Sequence, residues 1–228
     1  YKGSRSDLMI EASELDLSQI RRCKVFNYTP LSFEFDYPIA KAAELALAEA
    51  HSAGVMTAFD SNYRFPYEDM KVYHAVQDAI YSAQILKLSQ DDIRYFMKEE
   101  NVFSACEKLL AGNAKIVAFT MGTSGSLLYT HKGWSYRPAY RVNALDTTGA
   151  GDSFMGALIY LLTHETDNIE ELSVLDLERI GDFCNACAAA STMKRGSLLV
   201  MPTLSQIEHV LKTAPRIETQ FDKIHKTF

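Results

Sequence analysis

Residues Asp146-Thr-Thr-Gly-Ala-Gly-Asp152 concentrate more chemistry than any other segment of the chain. Three small residues, Gly149, Ala150 and Gly151, stand directly before Ser153-Phe-Met-Gly-Ala-Leu-Ile-Tyr-Leu-Leu162, an apolar run that reads as a helix. A glycine-rich turn lets backbone N–H groups converge, and a helix start adds partial positive charge. Together they form an anion hole suited to phosphate. Asp152 falls in the first helical turn beside that hole. A carboxylate there takes the proton from an attacking hydroxyl while the N–H groups steady a moving phosphoryl group. Taken alone, Gly-Ala-Gly-Asp also fits a helix start whose aspartate only caps the helix and favours its dipole. It is not a Walker loop, because the Lys-Ser/Thr that should follow the glycines is missing.

Strands and helices must alternate to hold such a turn in place, and the chain shows that alternation. Lys24 to Thr29 reads as a strand, Pro38 to Ala53 as a helix ended by Gly54, and Val55 to Phe59 as a strand entering the polar turn Asp60-Ser-Asn-Tyr-Arg64. Asp69 to Ala83 looks helical, Gln84 to Leu88 strand-like, and Asp91 to Lys98 and Val102 to Leu110 helical. Lys115 to Thr120 is an apolar, β-branched strand. Ser126 to Thr130 and Gly133 to Pro138 form a strand pair around a Lys132-Gly133 turn. Helices are expected over Gly151 to His164, Leu175 to Met193 and Leu204 to Lys212. The alternation predicts one α/β domain over residues 1–228, its parallel sheet covered on both faces, with 216–228 as a loose tail. In such sheets ligands gather beyond the carboxyl ends of strands.

Composition narrows the partners. The 228 residues carry 23 Lys+Arg against 29 Asp+Glu, a net charge of −6, and 47% are hydrophobic, enough for a substantial core. An acidic chain without a basic run matches a phosphate backbone poorly, so nucleic acid is not an expected partner. No apolar run reaches the roughly 18–20 residues that cross a bilayer, so no membrane is expected, and Tyr1 to Ile10 show no charged-then-apolar leader pattern. Cys23, Cys106, Cys184 and Cys187 are too sparse for a disulfide framework and suit reduced thiols in the cytoplasm. Cys184-x-x-Cys187 lies inside an apolar run and reads as packing, since no second pair completes a zinc set. None of the six histidines has ligand-like spacing.

The heptad, followed by Ser153-Phe154, resembles the C-terminal signature of the ribokinase-like (PfkB) carbohydrate kinases. Other matches fall in that family's order. Phe59-Asp60-Ser-Asn62-Tyr-Arg64 resembles its Asp-x-Asn-x-Arg turn, and Lys87-Leu-Ser89-Gln-Asp-Asp92 stands in place of its Asn-x-x-Glu element. Thr120-Met-Gly122-Thr-Ser-Gly125 resembles its nucleotide loop, and Asn185, Gly196 and Pro202 its closing segment. The resemblance covers about Leu15 to Leu211.

The resemblance implies an α/β fold, a ribokinase-like three-layer α/β/α sandwich with a mainly parallel central sheet, lacking the N-terminal strands and lid. It also implies a role for each matching residue. Asp152 is the base, and Gly149, Ala150 and Gly151 hold the transferred phosphate. Lys87, Ser89, Thr120, Gly122, Gly125 and Asn185 serve ATP, with Asn185 near the adenine. Asn62 and Arg64 contact the sugar. Asp92 orders water around Mg2+, and Asp146, Thr148, Ser191, Lys194 and Gly196 surround a K+ ion, mostly through backbone oxygens. Several of these residues have plainer readings. Lys87 also fits a solvated strand-end charge, Gly122 and Gly125 a turn between strands, Arg64 a surface ion pair, and Asn185 a backbone hydrogen bond.

Two departures from the family pattern stand out. Ser89 and Asp92 replace its usual Asn and Glu. No Gly-Gly-x-x-x-Asn segment or lid precedes Lys24, and Tyr1 to Leu17 resembles the stretch after the lid, so the chain reads as the carboxyl-terminal portion of a longer kinase. The expected activity is ATP-dependent phosphorylation of a hydroxymethyl group on a small sugar, with fructose the first choice. A 2-keto-3-deoxy sugar acid or a nucleoside is the alternative acceptor, and a catalytically silent nucleotide-binding scaffold the alternative class. The expected partners are ATP and a small sugar, and the resemblance admits a homodimer.

Overall fold

The runs Val25–Tyr28 (β1), Met56–Asp60 (β2) and Ile85–Ser89 (β3) each become a strand, as their β-branched and aromatic content favours. They are seen in a computed structural model that describes residues 6–62, 69–166, 168–196 and 201–219. The chain divides into two units, Tyr1–Lys115 and Ile116–Phe228.

In the first unit β1, β2 and β3 pair in parallel, with Tyr28 opposite Phe59 and Asp60 opposite Lys87. Nearly every residue of β2 and β3 is buried, the pattern of strands covered on both faces. Helix α1 (Leu17–Arg22) starts at Asp16, whose carboxylate accepts the Ser18 amide. Helix α2 (Pro38–Ser52) begins with Pro38 and buries Ala40, Ala42, Ala46 and Ala50, small residues that let it lie close to β1 and β2. Helix α3 (Met70–Ser82) is capped by Asp69 and buries Val72, Val76, Ala79 and Ile80 at helical spacing. The core contains Phe59, Ile85, Leu86, Ile93 and Phe96. Each such side chain contributes roughly 1.5–3 kcal/mol by leaving water.

The continuous helix expected over Asp91 to Lys98 is broken. A short helix α4 (Gln90–Asp92) gives way to one π-helical turn, Ile93–Met97, which ends at Lys98 with φ +54°. The wider turn buries both Ile93 and Phe96, and nearby side chains satisfy the carbonyls it loosens. Gln77 Nε2 donates to Phe96 O at 2.7 Å, and Lys98 Nζ donates to Tyr95 O at 2.7 Å.

Helix α5 (Val102–Leu110) follows, capped by Asn101. Both its first and its last turn are tied to Glu99, which accepts from Lys108 Nζ (2.6 Å) and Ser104 Oγ (3.0 Å). The Lys108 hydrogen bond above all, with the Asn101 amide and Ser104, lowers the Glu99 carboxyl to about 2. Because the folded value lies below the ordinary 4.5, the stabilisation is complete above pH ~4.5 and is lost as pH falls through about 2. A carbon-detected NMR titration should find the Glu99 carboxylate titrating near 2, and Lys108→Ala should move it back towards 4.5.

In the second unit β4 (Ile116–Thr120), β5 (Ser126–Thr130) and β6 (Gly133–Arg137) form an antiparallel meander, the last two joined around Lys132-Gly133 as expected. Helix α6 (Ala150–His164) packs on helix α7 (Val174–Ser191), which also lies on β5, β6 and helix α8 (Leu204–Thr213). Cys184 and Cys187 are buried in α7, and burial pushes both thiols up, Cys187 to about 11. They pack rather than react. No helix among the described residues is long and apolar enough to cross a membrane.

Residues 216–219, assigned from the sequence to a loose tail, are instead docked on the end of β6. Arg216 bridges to Tyr140, stacks its guanidinium over that ring at 3.7 Å and donates to Pro138 O at 2.9 Å. Tyr136 Oη lies 2.7 Å from Thr219 Oγ1. Asp182 on α7 joins both arginines, accepting two hydrogen bonds from Arg137 (2.6 and 2.8 Å) and lying 2.6 Å from Arg216. Asp182→Ala is expected to destabilise the fold by about 2 kcal/mol and to free the Arg216 segment, read by urea unfolding and by amide exchange at Ile217.

Candidate active site

The nucleotide-loop candidate follows β4. Its tight 3-10 turn, Gly122–Ser124, is closed by Gly125 N–H donating to Gly122 O (3.1 Å) and Met121 N–H donating to Gly125 O (2.9 Å). Thr120 ends the strand half-buried, and Gly122 is exposed. Gly125 has φ +96°, and a Cβ there would sit 2.2 Å from Arg137 O and 2.8 Å from Ala139 N. The loop therefore lies directly on the backbone leaving β6. Tyr136 Oη–H fastens it by donating to Ser124 O at 2.6 Å. Asn185 of α7 reaches the same backbone, its amide donating to Arg137 O at 2.9 Å. The Asn185 side-chain nitrogen thus makes the backbone hydrogen bond that was one of the two readings the sequence allowed.

The start of α6 carries the heptad. Gly149 precedes the helix with φ +81° and ψ 0° and offers no side-chain cap. Ser153 N–H already donates to Gly149 O (2.8 Å) and Ala150 N–H to Thr147 O (3.2 Å). Ala150, one of three residues expected to hold phosphate, therefore has its amide engaged. The amides of Gly151 and Asp152 have no acceptor among the described residues. Asp152 stands at the third helical position, exposed, and its carboxylate has no hydrogen-bond or ion-pair partner among them either. It does not bond the helix backbone as a cap would; what remains of the capping reading is its favourable interaction with the helix dipole.

Asp146 shapes the approach to that helix. Its two oxygens accept the amides of Thr148 (2.9 Å) and Gly196 (3.1 Å), and these hydrogen bonds, Thr148's first, hold its carboxyl below the usual range. The carbonyl of Thr192 accepts the amides of Leu145 and Asp146 at 2.8 and 3.2 Å, tying the segment to the end of α7. Asp146, Thr148 and Gly196 are thereby brought together. Ser191 lies one residue from that tie, its hydroxyl donating to Ala188 O (2.8 Å), and Lys194 is exposed on the turn beyond it.

The remaining candidates lie in the first unit at the carboxyl ends of β2 and β3. Lys87 is not a solvated charge: its Nζ lies 2.6 Å from Asp60 Oδ1, and the two side chains are 9% and 3% exposed. Asp60 Oδ1 also accepts the Asn62 amide at 3.1 Å. Ser89 and Asp92 form a capping box in which Asp92 Oδ2 accepts from Ser89 N (2.6 Å) and Ser89 Oγ (2.5 Å). Asp92 Oδ1 is buried and takes no hydrogen bond from the described residues. Arg64 lies outside the described residues. Sequence reasoning placed Asp60 at the head of the Asp-x-Asn-x-Arg turn but gave it no role of its own. The available signal was an acid ending one strand and a lysine near the end of the next, which parallel pairing sets side by side. No cluster of three or more His, Cys, Asp or Glu suited to a metal occurs among the described residues.

Residues 12–204 match the family model described as pfkB family carbohydrate kinase. The chain belongs to this family. Among curated relatives, it is 30% identical over 217 residues to Probable fructokinase-4 of Arabidopsis thaliana, an alignment covering 93% of the chain and 65% of that protein. The chain thus spans about 65% of the length of that relative. Among solved structures, a fructokinase with bound ATP from Xylella fastidiosa superposes with a TM-score of 0.78 at 21% identity, over 90% of this chain and 66% of that one. An aminoimidazole riboside kinase from Salmonella enterica, complexed with its riboside and an ATP analog, gives 0.74 at 25% identity, over 91% and 68%. The fold is accordingly the ribokinase-like α/β/α type that the PfkB resemblance implied.

Proposed function

We propose that the protein is an ATP-dependent carbohydrate kinase that phosphorylates a hydroxymethyl group of a small sugar, fructose first, with Asp152 as the general base. The observation that carries this reading is the exposed Asp152 carboxylate in the first turn of α6, beside the amides of Gly151 and Asp152, all without a partner among the described residues. Family membership and fructokinase relatives support it.

Those groups define the reaction. Asp152 takes the proton of the sugar hydroxyl as its oxygen bonds to the γ-phosphorus. The bond from that phosphorus to its bridging oxygen breaks, and ADP leaves with the electron pair. The amides of Gly151 and Asp152, without an acceptor among the described residues, offset charge on the phosphoryl oxygens at the helix start that Gly149 enters in a left-handed conformation. Phosphoryl transfer needs positioning and charge neutralisation more than covalent help, so this small set of groups suffices.

The nucleotide is assigned to the Thr120–Gly125 loop, with Gly122 as its open glycine. Asn185 supports that loop through the Arg137 carbonyl. The acceptor sugar is assigned to Asn62 and Arg64. Magnesium, when bound, neutralises ATP oxygens while keeping several waters. Asp92 Oδ1, an acceptor without a donor among the described residues, fits a hydrogen bond from such a water, with Ser89 fixing the other oxygen. A potassium ion would rest on backbone carbonyls of Asp146, Thr148, Ser191, Lys194 and Gly196, since both Asp146 carboxylate oxygens already accept amides. Three of the four cysteines are buried thiols, suiting the reducing cytoplasm where we place the protein.

A coupled ADP-release assay over hexoses, 2-keto-3-deoxy sugar acids and nucleosides tests the reading. Turnover is expected with fructose. Turnover confined to another class would reassign the acceptor, and ATP binding without turnover on any of them would point to a scaffold.

A further inference from the structure

We infer that the buried Lys87–Asp60 pair is a positioning clasp for the acceptor-binding turn Asp60-Ser61-Asn62, and that Lys87 acts on sugar binding rather than on ATP. The inference rests on the kinase reading above and assigns Lys87 a role within it. Asp60 and Lys87 are direct partners in the parallel β2–β3 pairing, so their side chains rise from the same face at the carboxyl ends of the strands. Their charged atoms meet at 2.6 Å with only 9% and 3% of the side chains exposed. A buried ion pair gains little or no stability over an apolar pair of the same shape, because desolvation offsets the attraction. What the pair supplies is geometry.

Both ends of Lys87 hold the turn. Its ammonium fixes the Asp60 carboxylate, whose Oδ1 accepts the Asn62 amide at 3.1 Å. Its backbone carbonyl accepts both the Ser61 amide and the Ser61 hydroxyl, each at 3.2 Å. Asn62 sits at φ +36°, in the left-handed region that Asn tolerates better than most residues but does not prefer. Ser61 is fully buried. With both of its preceding residues held, Asn62 follows the carboxyl end of β2, the place in an α/β sheet where ligands collect.

Two variants and two readouts test the clasp. Lys87→Met leaves Asp60 buried without its cation and should raise KM for the sugar at least tenfold, while KM for ATP changes less than twofold. The double variant Lys87→Met/Asp60→Leu replaces the pair with apolar groups. It should recover the melting temperature without recovering KM for the sugar, a split that a merely structural role would not give. Hydrogen exchange is the second readout: the Ser61 and Asn62 amides should exchange at least tenfold faster in both variants. A raised KM for ATP with an unchanged KM for sugar would make Lys87 a phosphate contact and overturn the clasp. Unchanged exchange at Ser61 and Asn62 would overturn it as well, whether or not any sugar turns over. Absence of turnover in the wild-type protein would count against the kinase reading alone.

Discussion

Asp152→Asn is expected to lower kcat for sugar-dependent ADP release by about 10²–10⁴-fold, the usual range for removing a general base, while ATP affinity changes less than about threefold. The substitution is nearly isosteric and touches no hydrogen bond, because the carboxylate has none among the described residues. The only structural loss is a negative charge near the positive end of α6, worth roughly 0.3–1 kcal/mol. Rate and stability should therefore separate, with a large fall in kcat beside a melting temperature lowered by only a few degrees. A purely dipolar role for Asp152 gives the opposite pattern, a small stability loss with kcat intact. Rapid-mix kinetics of the variant, with ATP binding followed by calorimetry, distinguishes them.

Gly125→Ala is expected to be the most damaging single substitution in the nucleotide loop. The backbone at φ +96° is one an L side chain rarely adopts, and the new Cβ would lie 2.2 Å from Arg137 O with no flexible side chain to yield. Left-handed strain alone costs of order 1–3 kcal/mol. The clash must also push the loop off the backbone at residues 137–139, against the Tyr136 and Asn185 hydrogen bonds that hold it. A total loss of at least about 3 kcal/mol is expected, together with weakened ATP binding. Gly122→Ala is the control: φ is +55°, but a Cβ there meets nothing within 4 Å. Its cost should be confined to backbone strain of about 1 kcal/mol. Urea unfolding of the two variants gives the comparison, and equal losses would mean that contact with the β6 backbone is not what demands glycine at 125.

Elements set by local pattern were legible in the sequence. Helix α5 and strand β5 have the expected bounds, Val102–Leu110 and Ser126–Thr130. In the first an Asn cap opens an amphipathic run; in the second a turn-forming Lys132-Gly133 follows the run Leu127-Leu128-Tyr129. The heptad was legible for the same reason, since glycines next to an apolar helix signal a helix start. Features that depend on what lies across the fold were not legible. The π-helical turn at Ile93–Met97 exists because Gln77 and Tyr73 arrive from α3 to satisfy its carbonyls. The docking of Arg216 depends on Asp182 and Tyr140, 34 and 76 positions away in sequence. Asp60 was named only as part of a turn, because its pairing with Lys87 comes from strand register, which composition does not encode. Helix α1 was within reach: Asp16 is a capping residue, and Arg21 and Arg22 close the last turn as the helix dipole favours.

The most direct test of the central claim is a crystal structure of the protein with ADP, aluminium fluoride and fructose, which imitates the phosphoryl group in flight. The account predicts that the fluoride group accepts hydrogen bonds from the amides of Gly151 and Asp152, with the reacting hydroxyl about 2.6–3.2 Å from the Asp152 carboxylate. A fluoride group bound away from the start of α6, or a sugar hydroxyl beyond reach of Asp152, would contradict it.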